Sequence, residues 1–281
     1  MGVSFRSSSA SSIRLPFLDR RPDLSFLNSH STSAPSSHGY DVITAYEGET
    51  AIRLCRAQLP NLVLLDVGLP DIDGFTMCRR LRQTPRFQHL PIIFATKRDR
   101  RADRAEGLSL GADDFISKPF DLDDLFLRVQ NTISRSARNN LTDPRTGLPG
   151  LEVVRQETAR AAGQSVNTFQ LRHLEPLREL YGAIAATEVL RATALLLNPI
   201  IEELGLPDAF LGHAAEDSFV IICPAANAAD VACAALDRFA ESALQHYPDG
   251  AREGETVRAR DADGNERVVP IVALQSSLPC P

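Results

Sequence analysis

The chain has no tryptophan, and aromatics make up only 6% of its 281 residues. Little is available for stacking on nucleic-acid bases. A net charge of -6 removes the attraction to phosphates on which nucleic-acid binding rests. With no helix-turn-helix candidate and no basic face, DNA is not an expected partner. No apolar run approaches the roughly 20 residues of a membrane helix, or the ~7–15 apolar residues of a secretory signal. Arg6 breaks the myristoylation pattern at Gly2. Neither membrane nor export is expected. Cysteine is scarce, and Cys55, Cys78, Cys223, Cys233 and Cys280 include no Cys-x-x-Cys pair. Cys55, Cys78 and Cys233 fall at apolar helical positions and Cys223 closes an apolar strand. That pattern reads as buried reduced thiols in a cytoplasmic protein, not as metal ligands.

What is present is ordinary for globular protein: 43% hydrophobic and 23% charged residues, and length for two modest domains. Residues 1–37 are rich in Ser, Arg and Pro and show no periodicity, which predicts a disordered or atypical segment; a short strand over 15–19 is the exception within it. From Gly39 the pattern is regular. Tyr40–Ala45 alternates as a strand, and a helix follows with Ala51, Ile52, Cys55 and Leu59 on one face. Leu62–Asp66 is an apolar strand, followed by a helix carrying Phe75, Cys78 and Leu81. Pro91–Thr96 and Asp114–Ser117 are further strands, with a polar helix between them. Leu122, Leu125, Phe126, Val129 and Ile133 then form one helical stripe. Strands alternating with helices predict an α/β unit with a doubly wound parallel sheet over 38–134.

Residues 135–140 read as a linker, and 141–281 as a second unit of α+β type. Its expected elements are a helix to about Ala162, a strand over 166–171 and a long helix with Ala186, Val189, Leu190, Ala194 and Leu197 on one stripe. A hairpin around 214–218, a helix over 226–245, a charged loop and a last strand over 268–274 complete it. No internal repeat is visible.

Three polar residues end three successive strands of the first unit: Asp66, Thr96 and Lys118. Asp66 alone is explained as a strand-terminating cap for the next helix. In a parallel sheet, however, strand ends converge on one edge, and a carboxylate, a hydroxyl and an ammonium meeting there suit phosphoryl chemistry. The carboxylate attacks while the other two compensate phosphate charge.

With these residues in place, the stretch from Gly39 to about Ile133 resembles the receiver domain of two-component response regulators. LLDVGLPDIDGF at 64–75 matches the phosphoacceptor segment, FAT at 94–96 the strand of the switch hydroxyl, and GADDFISKPF at 111–120 the lysine segment. The resemblance implies a flavodoxin-like fold with Asp66 as phosphoacceptor, Thr96 and Phe115 as switch residues, and Lys118 on the phosphate. It implies Mg²⁺ held by Asp66 and the Gly68 carbonyl. The family's acidic pair on the first strand is missing: Phe17-Leu18-Asp19-Arg20-Arg21 offers only Asp19, so weakened Mg²⁺ binding is expected. A sensor histidine kinase or phosphotransfer protein is the implied partner. A phosphorylation-independent pseudo-receiver is the alternative.

LTDPRTGLPG at 141–150 resembles the opening motif of GGDEF-type diguanylate cyclase domains, and YGAIAATEVLRATALLL at 181–197 and FLGHAAEDSFVII at 210–222 extend the resemblance. Active members join two GTP into cyclic di-GMP on metal-binding carboxylates. Here the signature reads Ala215-Glu216-Asp217-Ser218-Phe219, without its glycines and with Ser218 in place of an acid. Gln170 and Arg172 stand at the upstream aspartates and Arg178 at the guanine-recognising asparagine. Leu206 and Ala209 replace the inhibitory Arg-x-x-Asp. The resemblance therefore implies a non-catalytic, nucleotidyl-cyclase-like output domain acting on a downstream protein or a second copy of the chain. A sensor of GTP or cyclic di-GMP is the alternative, and an active cyclase ranks last. Glu175, Glu179 and Glu216 read as solvated surface, and for Arg172 and His173 a surface face ranks ahead of an anion site.

Overall fold

The computed structural model describes residues 13–18, 40–97, 101–247, 251–260 and 265–280, which fall into two compact units divided between Pro149 and Gly150. The first contains strands β1 (Ile13–Leu18), β2 (Tyr40–Ala45), β3 (Val63–Leu65), β4 (Ile92–Thr96) and β5 (Asp114–Ser117), with helices α1 (Gly48–Gln58), α2 (Gly74–Gln83), α3 (Arg101–Ser109) and α4 (Leu122–Arg138). All strand pairs are parallel, in the order β2-β1-β3-β4-β5. This flavodoxin-like order reverses direction between β1 and β3, where ligands of open α/β sheets bind.

Both faces of the sheet are covered, so β3 and β4 are apolar up to the terminal Thr96 and every residue in them is buried. Leu64, Ile93, Ala95 and Ile116 meet Leu125, Val129 and Ile133 of α4 on one face. On the other, the Phe94 ring packs edge-on against Phe75 of α2 at 5.2 Å. Each buried aliphatic or aromatic side chain of this kind stabilises by roughly 1.5–3 kcal/mol.

The short strand expected in the N-terminal segment forms, at 13–18, and it lies between β2 and β3. Asp19 lies outside the described residues. Helix α4 runs on to Arg138, through most of the expected linker, because Ser136 is buried and its hydroxyl bonds the Thr142 hydroxyl at 2.8 Å. The turn after it is fastened to this unit: Asp143 Oδ1 accepts from the Arg145 and Thr146 amides, and Asn61 Nδ2 donates to the Pro144 carbonyl at 2.9 Å.

The second unit begins with α5 (Leu151–Arg160) and then follows β6 (Gln164–Arg172), α6 (Leu174–Glu203), β7 (Phe210–Ala215), β8 (Ser218–Pro224), α7 (Ala228–Ser242) and β12 (Ala273–Ser276). These strands form an antiparallel sheet ordered β12-β6-β8-β7, a split β-α-β arrangement. Where one final strand over 268–274 is expected, the chain makes two. β11 (Glu266–Pro270) joins β9 (Ala251–Glu253) and β10 (Thr256–Arg260) in a separate sheet, and only β12 returns to the main one.

Helix α6 departs from the expectation of no membrane-length run. By length and composition it is apolar enough to cross a bilayer, with a mean hydropathy of 1.4 over its best 18-residue window. It is also the core helix of its unit, burying Ala186, Val189, Leu190, Ala194 and Leu197. Gly182, at φ 86°, interrupts it.

The thiol reading needs one correction. Cys55, Cys78 and Cys223 are free and buried, and burial pushes the Cys55 thiol up to about 12. Cys233 is bridged to Cys280. The tail after β12 brings the two Cα atoms to 5.2 Å, within the reach of a disulfide, although 47 residues separate them. Alkylation after denaturation without reductant should therefore label three cysteines, and five after reduction. Five labels without reductant, read by intact mass, would refute the bridge.

Candidate functional site

β3 ends at Leu65 and the chain leaves the sheet at Asp66. Asp66 is only partly buried between the buried Leu65 and Val67, so its carboxylate sits at the rim of the core. The Lys118 ammonium, just past β5, donates to Asp66 Oδ2 at 3.1 Å, and each side chain is 12% exposed. Thr96 ends β4, buried, in register with Ser117, and its carbonyl accepts from the Lys118 amide at 2.8 Å. The sheet therefore places the predicted carboxylate, hydroxyl and ammonium on adjacent strand ends. Phe115 is buried one strand turn earlier, with the Arg104 guanidinium 5.9 Å from its ring centroid.

The loop from Val67 to Asp73 is short and fully specified. The Gly68 amide donates to Asp66 Oδ1 at 3.1 Å, and the Gly74 amide to the Val67 carbonyl at 2.9 Å. Asp73 caps α2 through the Thr76 amide. A Cβ on Gly74 would lie 2.4 Å from the Asp66 carbonyl oxygen, so only glycine lets α2 start this close to the acid. Asp71 was not among the residues legible in the sequence: its carboxylate accepts from the Gly48 and Glu49 amides at 2.8 and 2.9 Å. As donors for a divalent cation, the described residues supply the Asp66 carboxylate and the Gly68 carbonyl. Mg²⁺ commonly takes one or two carboxylates and fills its other positions with water and phosphate, so this donor set fits it.

Comparison with known proteins agrees with this geometry. Residues 26–130 match the family model for the response regulator receiver domain. The chain carries a receiver domain. It is 46% identical over 92 residues to response regulator PleD of Caulobacter vibrioides, covering 33% of this chain and 20% of that protein. It is 43% identical over 98 residues to the alkaline phosphatase synthesis transcriptional regulatory protein PhoP of Bacillus subtilis, covering 35% and 40%. The chain thus spans between a fifth and two fifths of these two curated relatives. Among solved structures it is similar to the receiver domain of sensor histidine kinase PA1611 of Pseudomonas aeruginosa, solved with magnesium in its active site cleft. That match has 26% identity and a TM-score of 0.39, over 44% of this chain and 98% of that one.

The second group of predicted residues also converges, beyond the receiver, within its own unit. Gln170 Nε2 donates to Asp217 Oδ2 at 3.3 Å, and Ser218 Oγ to Asp217 Oδ1 at 3.0 Å. Glu216 and Asp217 form the two-residue turn between β7 and β8. Arg178 bridges Glu175 at 3.1 Å and Glu216 at 2.6 Å. Arg172, His173, Glu175, Arg178, Glu216 and Asp217 line an open cleft of about 500 Å³. Among the described residues, no group of three or more His, Cys, Asp or Glu is placed to hold a metal ion.

Asp71 offers a test in pH. Burial alone would raise its pKa, but the amides of Glu49, Gly48 and Ile72 together bring it down to about 2. A carboxyl depressed on folding stabilises above its unfolded value of ~3.9 and loses that contribution as pH falls towards its folded value. Wild type should therefore exceed Asp71→Asn in Tm at pH 7, and the gap should close between pH 4 and pH 2. A gap that does not change with pH would sink the assignment.

Proposed function

We propose that the receiver accepts a phosphoryl group on Asp66 from a sensor histidine kinase or phosphotransfer protein. The observation that carries this reading is the Asp66–Lys118 pair at the strand ends of the β1/β3 switch point, beside Thr96. An Asp66 carboxylate oxygen forms a P–O bond as the phosphorus–nitrogen bond of the donor phosphohistidine breaks. The electron pair of that bond returns to the imidazole, which takes up a proton. Lys118 holds charge on the incoming phosphoryl oxygens, and Thr96 and Phe115 rearrange to report it. Mg²⁺, when bound, neutralises further phosphoryl charge; Asp66 and the Gly68 carbonyl would hold it, with Asp19 as an added ligand. With one acid where the family has two, metal affinity is weak in this reading.

The change passes along α4 to residues 141–281, a GGDEF-like output domain without catalysis. Its split β-α-β sheet suits that family, and Gln170 and Ser218 crowd Asp217 where a pair of metal carboxylates would be needed. Output is then contact with a downstream protein or a second copy, in the cytoplasm. A pseudo-receiver that signals without phosphate is the competing form of the same reading.

Intact mass after incubation with a small phosphoryl donor and Mg²⁺ tests the first step. A single phosphoryl adduct is expected on wild type and none on Asp66→Asn. A folded wild type that gains no mass would leave only the pseudo-receiver.

The cleft lined by Arg172, His173 and Arg178 favours a second reading of the output domain, as a nucleotide sensor. Calorimetric titration with GTP and with cyclic di-GMP should then give saturable heat that Arg178→Ala weakens. Absence of heat with both ligands returns the domain to protein contact alone.

A further inference from the structure

We infer that Asp71 is a positioning residue of the receiver: seated on the N-terminus of α1, it holds the loop whose Gly68 amide bonds the Asp66 carboxylate, and with it the Gly68 carbonyl. This rests on the phosphoacceptor reading of Asp66 and assigns to that site a residue outside the strand-end set. The starting observation is a helix that lacks its own cap. α1 begins after Glu47, whose side chain makes no capping bond. Ser, Thr, Asn or Asp at that position would satisfy the first amides locally. Here the Gly48 and Glu49 amides donate instead to the two oxygens of Asp71, 23 and 22 residues away.

A cap borrowed from another segment couples the two segments. Asp71 lies midway in the loop that runs from Gly68 to the start of α2. The other bonds of that loop, Gly68 to Asp66, Gly74 to Val67 and Thr76 to Asp73, are all local. Asp71 alone among these carboxylates and amides reaches another part of the fold. The residue after it reinforces the clamp: a Cβ on Gly48 would lie 2.4 Å from Ile72 Cγ1, so α1 and the loop are in van der Waals contact through a position without a side chain. One residue further, Glu49 pairs with Arg80, tying α1 to α2 as well. Asp71 itself is exposed and its carboxylate is spent on α1, so its action on the site is indirect. It fixes a backbone carbonyl, as outer-shell partners fix metal ligands.

A role in the site and a role in merely capping α1 make different predictions. The variants are Asp71→Ala, Asp71→Asn and the double Glu47→Asp/Asp71→Ala, in which a local cap replaces the borrowed one. Two readouts are taken on the full chain: amide hydrogen exchange over residues 67–72, and the Mg²⁺ concentration giving half-maximal phosphoryl incorporation from a small donor. Asp71→Ala should exchange faster over 67–72 and need roughly tenfold more Mg²⁺, with incorporation at saturating Mg²⁺ retained. Asp71→Asn should recover part of the loss, since its amide oxygen still accepts one bond. The double variant should regain protection in the first turn of α1 while its Mg²⁺ requirement stays high. A double variant with wild-type Mg²⁺ response overturns the inference, because capping alone would then explain Asp71. Unchanged exchange over 67–72 in Asp71→Ala overturns it too, whether or not wild type takes up phosphate. Failure of wild type to take up phosphate removes the phosphoacceptor reading, and exchange still decides the clamp.

Discussion

The receiver depends on burying both faces of β3 and β4. β3 and the first four residues of β4 are apolar and buried, which leaves no place for an unpartnered polar side chain along them; the one hydroxyl, Thr96, comes at the end of β4. A polar group placed there without a partner would cost several kcal/mol. Chemistry is therefore driven to the strand ends, where the chain turns out of the core, and parallel strands bring those ends to one edge. The order β2-β1-β3-β4-β5 then opens a crevice beside β3. Asp66 and Lys118 meet there at 12% exposure each, which is dry enough for their attraction to matter and wet enough for a ligand to enter. Removing one of two such partners takes a close counter-charge from a largely buried group, which is costly.

That arrangement explains which parts of the fold can be read directly from the residues. Two-sided burial turns β3 and β4 into short continuous apolar runs, each closed by a polar residue, and these are visible without coordinates. α4 shows itself by the spacing of Leu125, Val129 and Ile133. β1 is harder to read because Pro16 interrupts it, and proline is a poor candidate for a central strand. The pairing resolves the conflict. β1 lies along β2 for its whole length, but it meets β3 only at Phe17 and Leu18, beyond the proline. Asp71 is hidden for another reason. In its local context, between Pro70 and Asp73, it is one more polar turn residue, and the amides it serves lie more than 20 positions upstream. The Cys233–Cys280 bridge is hidden likewise, since no motif joins an apolar helix position to the last residues of a tail.

The second unit shows why charged residues at a site are less informative than apolar periodicity. Its helices and hairpin are legible from the stripes of α6 and the runs of β7 and β8. The splitting of 251–276 between two sheets is not, because short exposed strands such as β11 carry no pattern that a loop would lack.

Arg178 makes the same point in energetic terms. It pairs with Glu175 and Glu216, as Lys118 pairs with Asp66, yet its two partners are 64% and 65% exposed. Ion pairs at such exposure contribute roughly 0–1 kcal/mol and are screened by salt. Water competes for both partners, so the bridge across the cleft opens at little cost when a ligand offers Arg178 a better anion. The Asp66–Lys118 pair has no such freedom: its partners can separate only into space that the sheet and the Gly68 loop have already shaped. Burial, more than residue identity, makes one pair a defined site and the other an adaptable surface.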